Sequence, residues 1–518
     1  MQTPVIHPRS AVRRQRGRRP LLISVLILFL VSPVGATLPD SPNATPTPTP
    51  TATPPRGVAV LNTVGDKALR DGILGNCDVA MISIDDDWAN IQLDPDTFNF
   101  QYLDDTLNKI SAYPDKSVFL RLKTMGNSQT NGGDIPDWVY TLMGEDPASL
   151  DADPGVTYSF LDDDVQRCIP VFWNSVYLTK KKILIAMAGA HFAGNPAIKV
   201  VGLAYANAVT DDWNIPHDTD GSPSELDLWL NPVTGNPPGA GYTTQQMIDA
   251  AIHQADATFT DGVISGAGKT LTSASAVFTQ ADVNHEISGT GFRNGTTIRA
   301  WVSPTQVTLS KRASRNATSF TIVGRRDGLI DVAMAAFPNQ YIATAVNGNG
   351  PDLDSAYCSV YDAGICLAET VNGMAQSTYP GRYIVQRNNV SAIIPVKDDA
   401  SDAWVVLVDA AANGMPVAGQ ALGVCWSNQT SSYRMNGGNN CDHDNPDCVP
   451  GPNGLCTGNC ALSYGDILQR SADHIATYGV TYYEIYPPDA SNLQDNVAYI
   501  HCLLDPSEVC SPCGRARR

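Results

Sequence analysis

From Gly57 onward, short apolar runs alternate with stretches whose apolar positions recur every three to four residues. The runs Val58 to Val64, Val79 to Ile84, Val118 to Lys123 and Val200 to Ala206 predict strands, as do Tyr341 to Val346, Tyr383 to Gln386, Pro416 to Val424 and Val480 to Tyr486. Apolar runs bounded by polar residues suit strands covered on both faces, as in a parallel sheet wrapped by helices. Between them, Leu103, Leu107 and Ile110 fall at helical spacing. So do Trp404, Leu407, Val408 and Ala411 before Asn413-Gly414, and Ile467, Leu468, Ser471 and Ile475 before Gly479. Eight strands alternating with helices predict an α/β fold of the (β/α)8 TIM-barrel type.

One block breaks the rhythm. Thr243 and Gln246 form a T-x-x-Q capping box for a helix through Met247 and Ile252, and a second helical pattern runs from Leu329 to Phe337 before Pro338. Residues 258–327 between them are rich in Thr, Ser, Gly and Val, with strand-type alternation at Thr296 to Ala300 and Val307 to Leu309. This block reads as a small all-β module inserted at an exposed place in the barrel. Its sequence resembles short β repeats of phage tail and bacterial surface proteins, which implies a display or adhesion element.

The ends carry a different composition. Arg9, Arg13, Arg14, Arg16, Arg18 and Arg19 precede the apolar stretch Leu21 to Val31 and the small residues Val34-Gly35-Ala36. That order predicts a signal peptide over 1–36, cleaved after Ala36, with no stable membrane insertion afterwards. Residues 37–56 hold a Pro/Thr tract that reads as an extended linker. The barrel is expected over 57–257 and 328–504, and a Cys-containing tail over 505–518. Twelve cysteines, crowded at Cys441, Cys448, Cys456 and Cys460 and again at Cys502, Cys510 and Cys513, suit disulfides in an oxidising compartment. Secretion or cell-surface location is the expectation. The hydrophobic fraction of 43% excludes global disorder, and a formal charge of -18 argues against a nucleic-acid partner. No nucleotide-binding loop, zinc-protease motif or nucleophile elbow is present, and no cofactor is indicated.

Acids and indoles gather at predicted strand ends. The fourth strand leads to Asp211-Asp212-Trp213, the second to Asp85-Asp86-Asp87-Trp88, and the eighth carries Glu484 within Tyr482-Tyr483-Glu484-Ile485-Tyr486. Further landmarks are Phe98-x-Phe100-x-Tyr102-Leu103-Asp104, Pro136-Asp137-Trp138-Val139 and Cys425-Trp426. In their order these motifs resemble the β-galactosidase-like and cellulase-like glycoside hydrolase barrels, over roughly residues 57 to 257 and 328 to 504. The resemblance implies hydrolysis of O-glycosidic bonds in an oligo- or polysaccharide by a two-carboxylate mechanism.

Glycoside hydrolysis needs one carboxyl group to protonate the leaving oxygen and a second to attack the anomeric carbon or activate water. Asp212 is the expected general acid/base and Glu484 the expected nucleophile or base; Asp211 and the Asp85 to Asp87 run are further candidates. Trp88, Trp213, Trp138 and Trp426 are expected to offer ring faces to sugars, with Asn207, Asp87, Arg121 and Asn388 binding hydroxyls. Acids of this kind also serve as helix caps and surface charges.

Two departures stand against the resemblance. Many such hydrolases end the fourth strand with Asn-Glu, where this chain has Asn207-Ala208, and carry the nucleophilic Glu on the seventh strand, which here offers Gln420. A strand count off by one, a rearranged site and a barrel that has lost hydrolysis all account for this. The last corresponds to a second reading, a surface carbohydrate-binding or adhesion protein on a degenerate barrel.

Overall fold

The computed structural model describes residues 54–61, 69–124, 127–128, 133–162, 165–203, 223–252, 256–264, 268–325, 327–346, 367–392, 402–426 and 429–505. Eight parallel strands close into a barrel: β1 (Gly57–Leu61), β2 (Val79–Asp87), β3 (Ser117–Lys123), β4 (Ile198–Gly202), β5 (Tyr341–Val346), β6 (Tyr383–Val390), β7 (Val417–Ala421) and β8 (Tyr482–Ile485). Each strand pairs with its sequence neighbours, and β8 closes the ring on β1 through Gly57↔Tyr482 to Val60↔Ile485. All eight predicted runs overlap these strands. Glu484 therefore lies on the eighth strand, and the strand count is not the source of the mismatch with glycoside hydrolases.

Period-two alternation divides each strand between two cores. Val58, Val60, Ile82, Ile84, Val118, Leu120, Val385, Tyr483 and Ile485 belong to the core between the strands and the surrounding helices. Ala59, Met81, Phe119, Val200, Tyr341, Ala343, Ile384, Ala418 and Tyr482 form a separate apolar cluster within the barrel. That filled interior makes the barrel a packed core rather than a channel.

Helices α1 (Gln101–Ile110), α2 (Asp137–Met143) and α3 (Ser175–Phe192) follow β2 and β3. α4 (Thr244–Ala251) and α5 (Leu329–Ala336) precede β5, and α6 (Leu367–Thr378), α7 (Asp402–Ala412) and α8 (Tyr464–Ala476) lead to β6, β7 and β8. Thr243 caps α4 by accepting the Gln246 amide, as the capping-box pattern suggested. A three-stranded antiparallel sheet formed by residues 127–128, 157–162 and 165–170 was not foreseen, because its strands lack a long apolar alternation.

Between α4 and α5 lies a six-stranded antiparallel sheet of segments 257–259, 320–322, 286–288, 296–303, 306–309 and 270–272, in that spatial order. It has its own core, built from Phe259, Leu271, Phe278, Ile287, Ile298, Val307, Leu309, Phe320 and Ile322. The fold is thus a TIM barrel with an inserted all-β module. Where the chain leaves and re-enters the barrel, Gly328 abuts Ile252: a Cβ on Gly328 would lie 2.4 Å from Ile252 Cα. Val277 packs on Ile183 and Ala186 of α3, and Lys182 pairs with Asp327 at 3.1 Å, so the module rests on the barrel's helical shell.

Disulfides join Cys441 to Cys456 and Cys448 to Cys460, stapling the segment between β7 and α8. No helix among the described residues is long and apolar enough to cross a membrane.

Candidate active site

Above the apolar interior layer, the inward positions turn polar. On β3, Phe119 is followed two residues later by Arg121; on β6, Ile384 by Gln386 and then Asn388; on β7, Ala418 by Gln420; on β8, Tyr482 by Glu484. Because the strands are parallel, all of these side chains rise toward the same, carboxyl-terminal end of the barrel. That is the end at which TIM-barrel enzymes hold their active sites.

Glu484 is the centre of this layer and has no exposed surface. Its Oε2 accepts from Arg121 Nη2 at 2.6 Å, from Gln420 Nε2 at 2.8 Å and from Gln386 Nε2 at 3.4 Å. Its Oε1 has no hydrogen-bond partner among the described residues. The Arg121 side chain is only 6% exposed, and its guanidinium lies over the Phe119 ring at 4.4 Å, an arrangement that adds cation–π attraction to the ion pair. Behind them, the Tyr482 hydroxyl donates to Gln386 Oε1 at 2.7 Å, and Gln386 Nε2 donates to Asn388 Oδ1 at 2.8 Å. Burial and the adjacent Glu484 carboxylate push the Tyr482 phenol well above its ordinary pKa, outweighing Arg121, so it remains a donor.

A second cluster occupies the ends of β2 and β3. Lys123 Nζ lies 3.3 Å from Asp85 Oδ2 and 3.4 Å from Asp87 Oδ1. Burial opposes its charge, but Asp85, Asp134 and Asp87 outweigh burial and hold the ammonium above its ordinary pKa. Asp87, expected to bind substrate, is thus already engaged by Lys123 on the rim. Asp86 forms no ion pair with Lys123 among the described residues and accepts from Asn90 Nδ2 at 3.1 Å; burial, opposed by its hydrogen bonds, raises its pKa.

The third element lies after β7. Asp489, in the turn of helix that follows β8, accepts the backbone N–H groups of Cys425 at 3.0 Å and Trp426 at 2.6 Å. Burial raises this carboxyl to about 6 against the pull of those two hydrogen bonds. The Trp426 backbone is therefore fixed from β8, while its side chain is 38% exposed.

The expected tryptophans differ in exposure. Trp426 offers an open ring at the carboxyl-terminal end. Trp88 does not: it is 0% exposed, donates Nε1–H to Gln92 Oε1 at 2.8 Å, and packs edge-on against Trp138 at 6.3 Å. The expectation of sugar stacking by Trp88 is corrected, since a ring enclosed on all sides has no face to give. Trp138 is half-buried, donates to Gln92 O at 3.0 Å and packs with the same outer core. It belongs to the shell around α2, not to the Glu484 layer. Asp211, Asp212, Trp213, Asn207 and Ala208 lie outside the described residues.

Gln386, Tyr482, Lys123 and Asp489 were not singled out from the sequence. Three of them carried a readable signal, an inward polar residue two positions from an inward apolar or polar one. Asp489 carried none, because its role depends on the approach of the β7 loop. On the outer side of β3 and β4, Lys181 of α3 is buried, donating to Thr124 Oγ1 at 2.9 Å and Tyr177 Oη at 3.2 Å; burial lowers its pKa to about 7. No group of His, Cys, Asp and Glu among the described residues is placed to hold a metal ion.

No protein-family model matches the chain, and no curated protein matches it. Among solved structures it is similar to the catalytic domain of a β-amylase from Paenibacillus polymyxa, at 13% identity and a TM-score of 0.42, over 86% of this chain and 95% of that one. A β-galactosidase from a psychrophilic Marinomonas is similar at 10% identity and a TM-score of 0.37, over 88% and 62% of the two chains. An endo-glycoceramidase II from Rhodococcus is similar at 10% identity and 0.35, over 86% and 78%.

Proposed function

We propose that this protein is an exported glycoside hydrolase in which Glu484 is the nucleophile or base and Asp212, which follows β4 in sequence, is the general acid. The observation that carries the reading is the asymmetric environment of the Glu484 carboxylate. Arg121, Gln420 and Gln386 converge on Oε2, leaving Oε1 without a partner among the described residues. A carboxylate held through one oxygen, with the other buried but not engaged in a hydrogen bond among the described residues, suits attack on an anomeric carbon or deprotonation of water. Trp426 supplies an apolar ring face for a pyranose next to that carboxylate's strand. The companion acid would protonate the departing glycosidic oxygen; a carboxyl separation of roughly 5 Å gives retention, and one of roughly 6.5–9.5 Å gives inversion. The reading rests on these side chains, because a barrel by itself does not specify chemistry.

A second reading is favoured by one observation: Glu484 is fully enclosed and ion-paired, as a structural carboxylate would be. Together with Ala208 at the place of the usual acid, this describes a barrel that binds glycans without cutting them. Release of reducing ends from a panel of oligo- and polysaccharides, measured beside binding to the same panel, separates the two. Release that disappears in both Asp212→Asn and Glu484→Gln supports hydrolysis. Binding with no release by the wild-type protein supports the second reading.

A further inference from the structure

The inserted module differs in charge from the rest of the chain. Residues 258–327 contain eight Lys and Arg against four Asp and Glu, a formal +4 in a chain of -18, which leaves -22 on everything else. Five of the eight converge. The Ser314 amide donates to Gly291 O at 2.9 Å and the Ala313 amide to Gly268 O at 2.9 Å, so segments 268–269, 291–295 and 310–315 meet at one end of the sheet. Lys269 Nζ reaches Ser310 O at 3.0 Å and Lys311 Nζ reaches Asn294 O at 2.7 Å across the same junction. Arg293, Lys311, Arg312 and Arg315 are exposed there, and Lys269 is half-buried. One carboxylate shares the place: Glu286, whose Oε1 accepts the Gly295 amide at 3.0 Å.

We infer that this basic end is a docking site for an anionic polysaccharide, one bearing carboxylate or sulfate groups along its length. The strongly negative remainder of the protein repels such a polymer, so an attractive patch segregated on one module determines where and how the polymer meets the surface. A nucleic acid is the other polyanion to consider. Single-strand readers stack bases on exposed aromatic rings, but Phe259, Phe278 and Phe320 are buried, and Phe292 and Trp301 are partly buried against the module core. The polar groups beside the cations are hydroxyls rather than rings: Thr297 Oγ1 donates to Ser310 Oγ at 3.1 Å on the strands leading to the junction. The choice of a glycan over other anions rests on the glycan-directed reading of the barrel; the docking itself does not require catalysis.

The test uses the full chain on immobilised heparin and polygalacturonate, with neutral dextran and duplex DNA as comparison probes. The wild-type protein and the Glu484→Gln variant should both be retained on an anionic glycan and released by salt. Neutralising about four counterion sites weakens binding on the order of 100-fold between about 50 and about 200 mM salt. A variant carrying Arg293→Ser, Lys311→Ser, Arg312→Ser and Arg315→Ser should bind at least about tenfold more weakly, while Arg293→Lys, Arg312→Lys and Arg315→Lys together should retain binding. Loss in Glu484→Gln but not in the serine variant would place the contact in the barrel and overturn the inference. So would absence of retention by the wild-type protein, equal retention by the serine variant, or tighter binding to duplex DNA than to either glycan.

Discussion

Arg121 on β3 and Glu484 on β8 meet across the barrel interior, Nη2 to Oε2 at 2.6 Å, although they stand 363 positions apart in sequence. Neither strand is a neighbour of the other, so the pair forms only once the ring has closed. Two charges removed from water attract strongly, yet desolvation offsets much of that gain. The informative quantity is the penalty of leaving one partner alone.

Arg121→Met should therefore cost about 3–5 kcal/mol, because it strands the Glu484 charge in the interior. Combining it with Glu484→Gln should recover most of that loss. Denaturant unfolding of the two single variants and the double variant measures the coupling; strictly additive losses would show that the pair does not act as a unit.

Trp88 and Trp426 should respond in opposite ways. Truncating the enclosed Trp88 to Ala should destabilise by about 3–5 kcal/mol. Trp426→Ala should change stability by less than about 1 kcal/mol while weakening binding of whichever glycan the protein retains. Thermal unfolding and glycan-affinity electrophoresis check the two halves separately.

The separation of these two indoles marks the limit of what the sequence reveals. The eight strands, the helices between them and the interrupting β module are all legible, because burial on both faces and helical spacing leave strong patterns. Glu484 was singled out as a carboxylate near the end of the last predicted strand, and β8 carries it there, fully buried. Trp88 was misread, since adjacency to three aspartates says nothing about which side of a strand end a ring will occupy. The structure turns it outward, where Trp138 and Tyr177 enclose it. Gln386 and Gln420 illustrate the remaining gap. Each is an ordinary residue on its own strand, and only closure of the barrel brings both amides to one carboxylate oxygen.

Asp489 predicts a pH effect. Its carboxyl is raised from 3.8 to about 6 in the folded protein, so between about pH 4 and pH 6 the native state binds more protons than the unfolded chain. Stability contributed by this group falls as pH rises through that window, by on the order of 3 kcal/mol once deprotonation is complete. Asp489→Asn keeps an acceptor for the Cys425 and Trp426 amides and should flatten this slope. Unfolding curves at pH 4.5 and pH 7 for both proteins make the comparison; an unchanged slope would assign the effect elsewhere.

The module's two connections meet at Ile252 and Gly328, so the barrel should tolerate its removal. Replacing residues 258–327 with a short flexible linker should leave a folded barrel with cooperative unfolding. It should be less stable, because Ile183 and Ala186 lose their contact with Val277. Gly328→Ala in the intact chain should also destabilise, since its Cβ has no room beside Ile252. Circular dichroism and melting temperature report both.

The most direct measurement is release of reducing ends by the wild-type protein and by Glu484→Gln, assayed on the same glycan at a temperature where both are folded. Glu484 as nucleophile or base predicts release by the wild type and a fall of at least about a thousandfold in the variant. Undiminished release by Glu484→Gln, or glycan binding without release by the wild type, would contradict it.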